Sequence, residues 1–162
     1  MKHMYIHIPF CSHICSYCDF CKIFKNDKMI DNYLDALKKE IDEYYNYEEM
    51  ETIYIGGGTP SCLNSKQLDK LFSILSIVRI KEDYEYTFEC NPCDINEELI
   101  DILVKNKVNR LSIGIESFDI DNLGFMERKV EFKDIQCKIN MIRNKGINNI
   151  NLDLIYGIPE EN

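Results

Sequence analysis

The sequence predicts an α/β fold in which about five strand–helix units build a curved, open parallel sheet. The first observation is that short apolar stretches of strand type alternate with longer stretches whose apolar residues recur at helical spacing. Such alternation favours a parallel sheet with right-handed crossovers. The second observation is that 162 residues suit about one domain. Five strands are too few to close an eight-stranded barrel.

The strands are predicted from runs rich in β-branched and aromatic residues. They cover residues 4–8, 52–55, 84–89, 111–115 and 150–155. Ligands of open parallel sheets bind at the carboxyl ends of the strands. We therefore expect functional residues directly after each of these five stretches.

The helices are predicted from amphipathic periodicity between the strands. They cover about 28–45, 65–78, 97–104 and 132–144, with a short helical turn near 121–125. Asn64 or Ser65 is the expected N-cap of the second helix, and Asn96 that of the third. Lys145 and Gly146 are expected to end the last helix.

Charge and hydropathy exclude several classes of partner. The chain has 19 Lys and Arg against 28 Asp and Glu, a net charge of −9, which disfavours nucleic acid as a partner. No apolar run reaches about 18 residues, so no transmembrane segment is expected. Residues 1–10 do not resemble a signal peptide, so a cytoplasmic location is expected.

The eight cysteines need a chemical explanation. Without a secretion signal, metal or redox chemistry is favoured over a disulfide framework. Cys11, Cys15 and Cys18 follow the first strand with the spacing C-x3-C-x2-C. Three thiolates on a four-iron cluster leave one iron open to a small molecule. The alternative is zinc with Cys21 as fourth ligand, although structural zinc usually draws its ligands as pairs from separate knuckles.

Two segments flanking these cysteines carry a family resemblance. Residues 5–11 read YIHIPFC and residues 15–20 read CSYCDF, and both resemble the radical S-adenosylmethionine (SAM) superfamily. More narrowly, they resemble the oxygen-independent coproporphyrinogen III oxidase family and, within it, the HemW-type branch of heme chaperones. The resemblance implies a partial (βα)6 barrel. It also implies that residues 1–162 are the N-terminal portion of a radical SAM core domain, without its sixth strand and C-terminal domain.

Further motifs of that family follow the later strands. The glycine motif spans residues 56–61, and the remaining motifs end strands three to five. By resemblance, Cys11, Cys15 and Cys18 hold a [4Fe-4S] cluster. The implied SAM-binding residues are Tyr5, Tyr17, Gly57, Gly58, Thr59, Glu89, Glu116, Arg128 and Asp153. The family usually has Gln where this chain has Glu116, and an ionised Glu cannot donate a hydrogen bond. Taken singly, each of these residues also suits an ordinary turn, strand end or helix surface.

The resemblance implies a role in heme metabolism, with heme binding and delivery as the leading interpretation. The alternatives are oxidative decarboxylation of coproporphyrinogen III and a metal-stabilised binding module without turnover, so enzymatic activity stays open. The implied partners are SAM, heme or porphyrinogen, and an electron donor of unknown identity. His7 and His13 are candidate heme ligands. Cys90 and Cys93 form a C-x2-C pair that is interpreted as two separate thiols, and Cys62 and Cys137 are expected to be buried.

Overall fold

The computed structural model describes residues 2–128 and 132–159. It contains seven strands and five α-helices within those residues. In chain order they are β1 (His3–Ile8), β2 (Phe10–Cys11), β3 (Ile23–Phe24), α1 (Asp27–Tyr44), β4 (Met50–Gly57), α2 (Ser65–Leu75), β5 (Ile80–Cys90), α3 (Glu97–Lys105), β6 (Arg110–Glu116), α4 (Ile120–Phe125), α5 (Phe132–Asn144) and β7 (Asn149–Leu154).

Five of the strands form one parallel sheet in the order β1-β4-β5-β6-β7, as the alternation predicts. The predicted fold class is therefore confirmed. The largest differences lie at two boundaries: β5 starts four residues before the predicted strand, and α2 ends at Leu75 rather than near residue 78. The two-residue strands β2 and β3 pair with each other in a separate ribbon that the sequence did not predict.

The two faces of the sheet differ in polarity. One register row is apolar and packs against the helices, and it contains Ile6, Ile55, Phe88, Leu111 and Ile150. The adjacent row points to the opposite face, and it contains Tyr5, Tyr54, Thr87, Arg110 and Asn149. Successive side chains of a strand alternate between faces. The main core therefore lies between the sheet and the helices, and the opposite face of the sheet is polar.

Asparagine side chains cap the starts of α2 and α3, as predicted. Asn64 accepts from the Gln67 amide at 3.0 Å, and Gln67 reciprocates with the Asn64 amide in a capping box. Asn96 accepts from the Leu99 amide. These caps satisfy amides that have no partner inside the helix.

One burial prediction is confirmed and another is wrong. Cys62 is buried, whereas Cys137 is exposed. On α5 the inward face is formed by Ile135, Ile139 and Ile142. Cys137 lies two residues after Ile135, about 200° around the helix. Within residues 2–128 and 132–159, no helix is long and apolar enough to cross a bilayer.

Candidate functional site

The cysteine loop, residues 12–22, leaves the carboxyl end of β1 and is closed by the β2–β3 ribbon. The Ile23 amide donates to the Pro9 carbonyl at 2.7 Å, and the Lys25 amide donates to the Cys11 carbonyl at 2.9 Å. Inside the loop, the Cys18 amide donates to the Cys15 carbonyl at 3.3 Å. The β2–β3 ribbon therefore fixes both ends of the cysteine loop, which contains no helix or strand of its own.

The three thiols of the C-x3-C-x2-C motif lie in this loop and on β2. Cys11 is buried, and Cys15 and Cys18 are half-buried. Burial raises the pKa of Cys11, against the hydrogen bond from Thr59, and the nearby Cys18 and Cys15 thiols raise it further. The thiols thus lie close enough to interact electrostatically.

The chemistry of the donor set fits an iron–sulfur cluster, because such clusters are held by Cys thiolates and three of them leave one iron of a four-iron cluster open. In the described part of the chain, no three His, Cys, Asp or Glu side chains are grouped so as to hold one metal ion. Thr59 Oγ1 donates to Cys11 Sγ at 3.4 Å, the kind of hydrogen bond that tunes a cluster thiolate.

His7 fastens the far end of the cysteine loop to β1. Its Nε2 lies 2.9 Å from the Cys21 carbonyl, and its Nδ1 lies 3.0 Å from the Tyr5 hydroxyl. A carbonyl oxygen only accepts, so Nε2 carries the proton, and in the neutral ring Nδ1 accepts from Tyr5. Both nitrogens are therefore occupied, which removes His7 as a heme ligand in this conformation.

The glycine motif lies against this histidine and against β2. A Cβ at Gly57, where φ is +116°, would come within 2.5 Å of the His7 ring. A Cβ at Gly58 would come within 2.8 Å of the Phe10 carbonyl oxygen. The amides of Gly58 and Thr59 donate to the carbonyls of Ile8 and Phe10 at 2.8 Å. The motif therefore packs the second crossover directly onto the base of the cysteine loop.

Glu89 ends β5 with both carboxylate oxygens engaged. Tyr54 donates its hydroxyl to Oε1 at 2.7 Å, and the Gly57 amide donates to Oε2 at 2.9 Å. Burial, followed by the hydrogen bond to Glu89, raises the pKa of Tyr54. A carboxylate has about four lone-pair sites, so Glu89 retains capacity to accept from a ligand.

Arg128 lies under the cysteine loop with its side chain only 11% exposed. Its Nη1 donates to the Tyr17 hydroxyl at 3.1 Å, and its Nη2 donates to the Gly114 carbonyl. The Glu116 carboxylate oxygen Oε1 lies 3.8 Å from Arg128 Nη1. The Nε of Arg128 is buried and has no hydrogen-bond partner among the described residues. A buried donor of this kind suits a bound carboxylate.

Glu116 sits at an irregularity where β6 pairs with β7. Its φ is +71°, and the register shifts between Gly114 and Glu116. A Cβ at Gly114 would approach Glu116 Oε1 to 2.8 Å. Burial raises the pKa of Glu116, the Arg128 cation opposes that shift, and the Asp153 charge adds to it. A protonated Glu116 can donate a hydrogen bond as the usual Gln would.

Asp153 is exposed near the end of β7 and is held by neighbouring polar groups. Ser112 donates its hydroxyl to Asp153 Oδ2 at 3.0 Å, and the Asn151 amide donates to Oδ1 at 2.5 Å. Ser112 pairs in register with both Glu89 and Asn151. A row of acceptors therefore crosses the carboxyl ends of β5, β6 and β7.

The structure brings most of the predicted residues to one end of the sheet. Tyr17 joins a small apolar cluster with Leu123, Met126, Ile155 and Ile158. Tyr5 lies on β1 two residues before His7 and pairs in register with Tyr54. Its side chain is 58% exposed, and its ring centroid lies 5.9 Å from that of Tyr54.

Sequence reasoning missed the roles of three residues. They are the loop contact of His7, the hydrogen bond of Tyr54, and the bridging hydroxyl of Ser112. The period-two alternation of β6 could have indicated Ser112, because it lies between Leu111 and Ile113 and must face the polar side.

The predicted cysteine pair is divided between two environments. Cys90 is buried, and burial raises the pKa of its thiol, whereas Cys93 is exposed. Neither is in a disulfide. This agrees with the interpretation of two separate thiols.

Comparison with known proteins gives consistent similarities. The family model "Radical SAM superfamily" matches residues 5–162. The heme chaperone HemW of Bacillus subtilis is 41% identical over 98% of this chain and 43% of its own length. The HemW of Lactococcus lactis is 39% identical over 96% of this chain and 41% of its own. The oxygen-independent coproporphyrinogen III oxidase of Escherichia coli is 32% identical over 98% of this chain and 36% of its own length.

The fold is also similar to solved structures. Coproporphyrinogen III oxidase (HemN) from Escherichia coli, described as a radical SAM enzyme, matches with a TM-score of 0.88 and 32% identity. That match covers 98% of this chain and 38% of the other. The methyltransferase TsrM from Kitasatospora setae matches with a TM-score of 0.62 at 13% identity, which bears on the fold alone. The chain spans less than half the length of these relatives.

Proposed function

The chain belongs to the radical SAM superfamily, and from this we propose that it binds a [4Fe-4S] cluster and SAM and acts in heme metabolism as a heme chaperone. The observation that carries the proposal is a loop of three thiols whose Tyr17 accepts a hydrogen bond from Arg128, a side chain whose buried Nε donor has no partner among the described residues. The HemW relatives are the reason for preferring the chaperone role. The similarity to coproporphyrinogen III oxidases supports decarboxylation of a porphyrinogen as the second candidate.

The residues that would hold the cluster are Cys11, Cys15 and Cys18, in a loop whose ends are already fixed by hydrogen bonds. When bound, the cluster supplies one electron for reductive cleavage of SAM. His7 keeps the loop against β1, and Thr59 donates to the Cys11 sulfur.

The amino-acid end of SAM carries a carboxylate and an amino group. Arg128 offers the unpartnered Nε–H to the carboxylate. The amides of Gly57, Gly58 and Thr59 already donate to protein oxygens, so contact with the amino group falls to their carbonyl oxygens. An ammonium donates hydrogen bonds and needs acceptors of this kind.

The ribose and adenine would lie along the acceptor row. Glu89 and Asp153 accept hydrogen bonds from ribose hydroxyls with the lone pairs that the protein leaves unused. Burial raises the pKa of Glu116, the nearby Arg128 cation lowers it, and the Asp153 charge raises it. Tyr17 and Tyr5 supply aromatic surface near the loop. Each of these assignments is a proposal from the family motif.

The wider setting is part of the same proposal. Residues 1–162 would be one domain, the N-terminal portion of a radical SAM core. Its place of action would be the cytoplasm, and its partners would be heme or a porphyrinogen and an electron donor.

The first test is anaerobic reconstitution with iron and sulfide, followed by metal analysis and EPR spectroscopy with and without SAM. We expect about four iron per chain and a spectrum that changes when SAM is added. Replacing Cys11, Cys15 or Cys18 by Ala should abolish iron loading, whereas Cys137→Ala, an exposed thiol elsewhere, should not. Zinc in place of iron, or a cluster insensitive to SAM, would overturn the proposal and favour a metal-stabilised binding module.

A second experiment separates chaperone from oxidase. His13 is exposed in the cysteine loop, with Nε2 3.8 Å from Glu127, and is the histidine we expect to ligate heme. His13→Ala should therefore weaken heme binding in an absorbance titration, and His3→Ala, at the opposite end of β1, should leave it unchanged. Heme transfer to an apoprotein without porphyrinogen consumption would support the chaperone role. Porphyrinogen decarboxylation by the reconstituted chain would favour the oxidase.

A further inference from the structure

Lys22 is the last residue of the cysteine loop, directly before β3, and its side chain is half-buried. Its Nζ donates to the Cys18 carbonyl and lies 3.5 Å from the Phe20 carbonyl. An ammonium has three donors and no acceptor, so carbonyls of this kind are suitable partners for it. The positive charge is therefore anchored against the backbone of Cys18, one of the three predicted cluster ligands.

The charge of Lys22 is not neutralised by a protein carboxylate. Among the described residues, no Asp or Glu lies within ion-pair distance of its ammonium. By contrast, Lys38, Lys70 and Lys145 each pair with an aspartate. Carbonyl dipoles solvate an ammonium without cancelling its net charge. Lys22 therefore brings a positive charge into the cysteine loop of a chain whose net charge is −9.

The field of this ammonium reaches the thiols of the loop. Burial raises the pKa of Cys11, whereas Lys22 lowers it, against the Cys18 and Cys15 thiols. Lys22 thus favours negative charge at the place where the neighbouring thiols oppose it. Lys25 acts elsewhere, because its Nζ lies 3.4 Å from the Cys62 carbonyl.

We propose that Lys22 is a positioning residue of the cluster site, which holds the loop at Cys18 and raises the reduction potential of the bound cluster. The inference rests on the proposed function. Net charge and the polar groups around the sulfurs set the potential of an iron–sulfur cluster. A cluster held by thiolates becomes more negative when it accepts an electron, and a nearby cation favours that state. Lys22 therefore makes the electron easier to accept.

Three variants separate charge from structure. Lys22→Met keeps an unbranched side chain but removes the charge, and Lys22→Arg keeps the charge and the donors. Lys39→Met removes the same net charge from an exposed position on α1. Lys39 lies twelve residues after the first residue of that helix, which is about 18 Å along its axis and beyond the screening length of about 10 Å.

The measurement is the reduction potential of each chain after anaerobic reconstitution with iron and sulfide, followed by EPR during a redox titration. Lys22→Met should lower the equilibrium constant for one-electron reduction about tenfold, which is a shift of ~59 mV to more negative potential. Lys22→Arg and Lys39→Met should stay close to the unmodified chain. A residue that only helped the protein to fold would not move the potential of a correctly assembled cluster.

Hydrogen exchange before reconstitution tests the positioning role without a cluster. The Cys18 amide donates to the Cys15 carbonyl inside the loop at 3.3 Å. Lys22→Met should speed the exchange of this amide, and Lys22→Arg should change it less, because the arginine can still donate to the Cys18 carbonyl. An unchanged exchange rate in Lys22→Met would overturn the positioning role.

The other outcomes are equally decisive. Equal potentials in the unmodified chain and Lys22→Met, or an equal shift in Lys39→Met, would overturn the effect of a local charge. Loss of iron from Lys22→Met with normal loading of Lys22→Arg would support it, whereas loss from both would restrict Lys22 to folding of the loop and overturn the tuning role. An unmodified chain that takes up no iron contradicts the proposed function itself, and the two failures are therefore distinguishable.

Discussion

Gly57→Ala tests whether the glycine motif holds the cysteine loop through His7. Gly57 has φ +116°, and an added Cβ would lie 2.5 Å from the His7 ring. The variant therefore suffers two penalties, one from the backbone and one from the collision. Gly146→Ala isolates the first, because Gly146 has φ +102° and open space around it.

The magnitudes follow from these geometries. Placing a side chain at such a positive φ costs about 1–3 kcal/mol, and this applies to Gly57 and Gly146 alike. Moving the His7 ring aside breaks its hydrogen bonds to the Cys21 carbonyl and the Tyr5 hydroxyl. Each contributes about 0.5–1.5 kcal/mol, so Gly57→Ala should cost ~1–3 kcal/mol more than Gly146→Ala.

The assay is urea unfolding of the unmodified protein, Gly57→Ala, Gly146→Ala and Gly124→Ala. Gly124 lies in α4 with nothing within 4 Å of its added Cβ, so Ala there should stabilise by about 0.5–1 kcal/mol. Nitrogen NMR of His7 gives a second readout, because its Nε2 proton should lose its ordered partner in Gly57→Ala. Iron content after reconstitution should fall in the same variant and in neither control.

The reasoning is refuted if Gly57→Ala and Gly146→Ala differ by less than ~0.5 kcal/mol, the size of the weakest expected hydrogen bond. It is equally refuted if Gly57→Ala loses stability but His7 keeps its NMR signature. In either case the close approach between Gly57 and His7 relaxes without cost, and the loop is held by other contacts.

Two further predictions concern the ends of β6 and the cysteine loop. Burial raises the folded-state pKa of Glu116, so the protonated carboxyl favours the folded state. This stabilisation is present at acid pH and is lost as the pH rises through the folded-state pKa. Glu116→Gln should therefore raise the melting temperature by a few degrees at pH 7–8 and change it little near pH 4, which calorimetry at both pH values measures; an equal effect at both would contradict it. Tyr17→Phe removes the hydroxyl that accepts from Arg128 and should destabilise by about 1 kcal/mol in urea unfolding, while calorimetric titration should show weaker SAM binding to the reconstituted chain.

Periodicity predicted the sheet because its signal is long and repeated. Ile6, Ile55 and Phe88 occupy equivalent positions in neighbouring strands, and each belongs to an alternating run that forces the same face inward. The positions of the strand ends then follow, and with them most of the candidate site. Local capping signals predicted the starts of α2 and α3 for the same reason, since Asn64 and Asn96 act within three residues of themselves.

Periodicity and capping signals could not predict the β2–β3 ribbon. β2 and β3 have two residues each, too few for a period, and Ile23 and Phe24 are exposed. The contact of His7 with Cys21 joins residues 14 apart and depends on where β4 places Gly57. No local sequence pattern predicts a contact between residues so far apart in the chain. The exposed Cys137 was missed for a different reason, because residue type was used where helical position on α5 decides burial.

The glycine motif supports the cysteine loop whether or not SAM binds. The amides of Gly57, Gly58 and Thr59 donate to Glu89, Ile8 and Phe10, so replacing a glycine disturbs β1 and the loop directly. Lost activity in such a variant therefore does not by itself identify a SAM contact. A variant that keeps its iron and loses SAM affinity would support the carbonyl role of the motif. One that loses iron first would show that the motif acts through His7 and the loop.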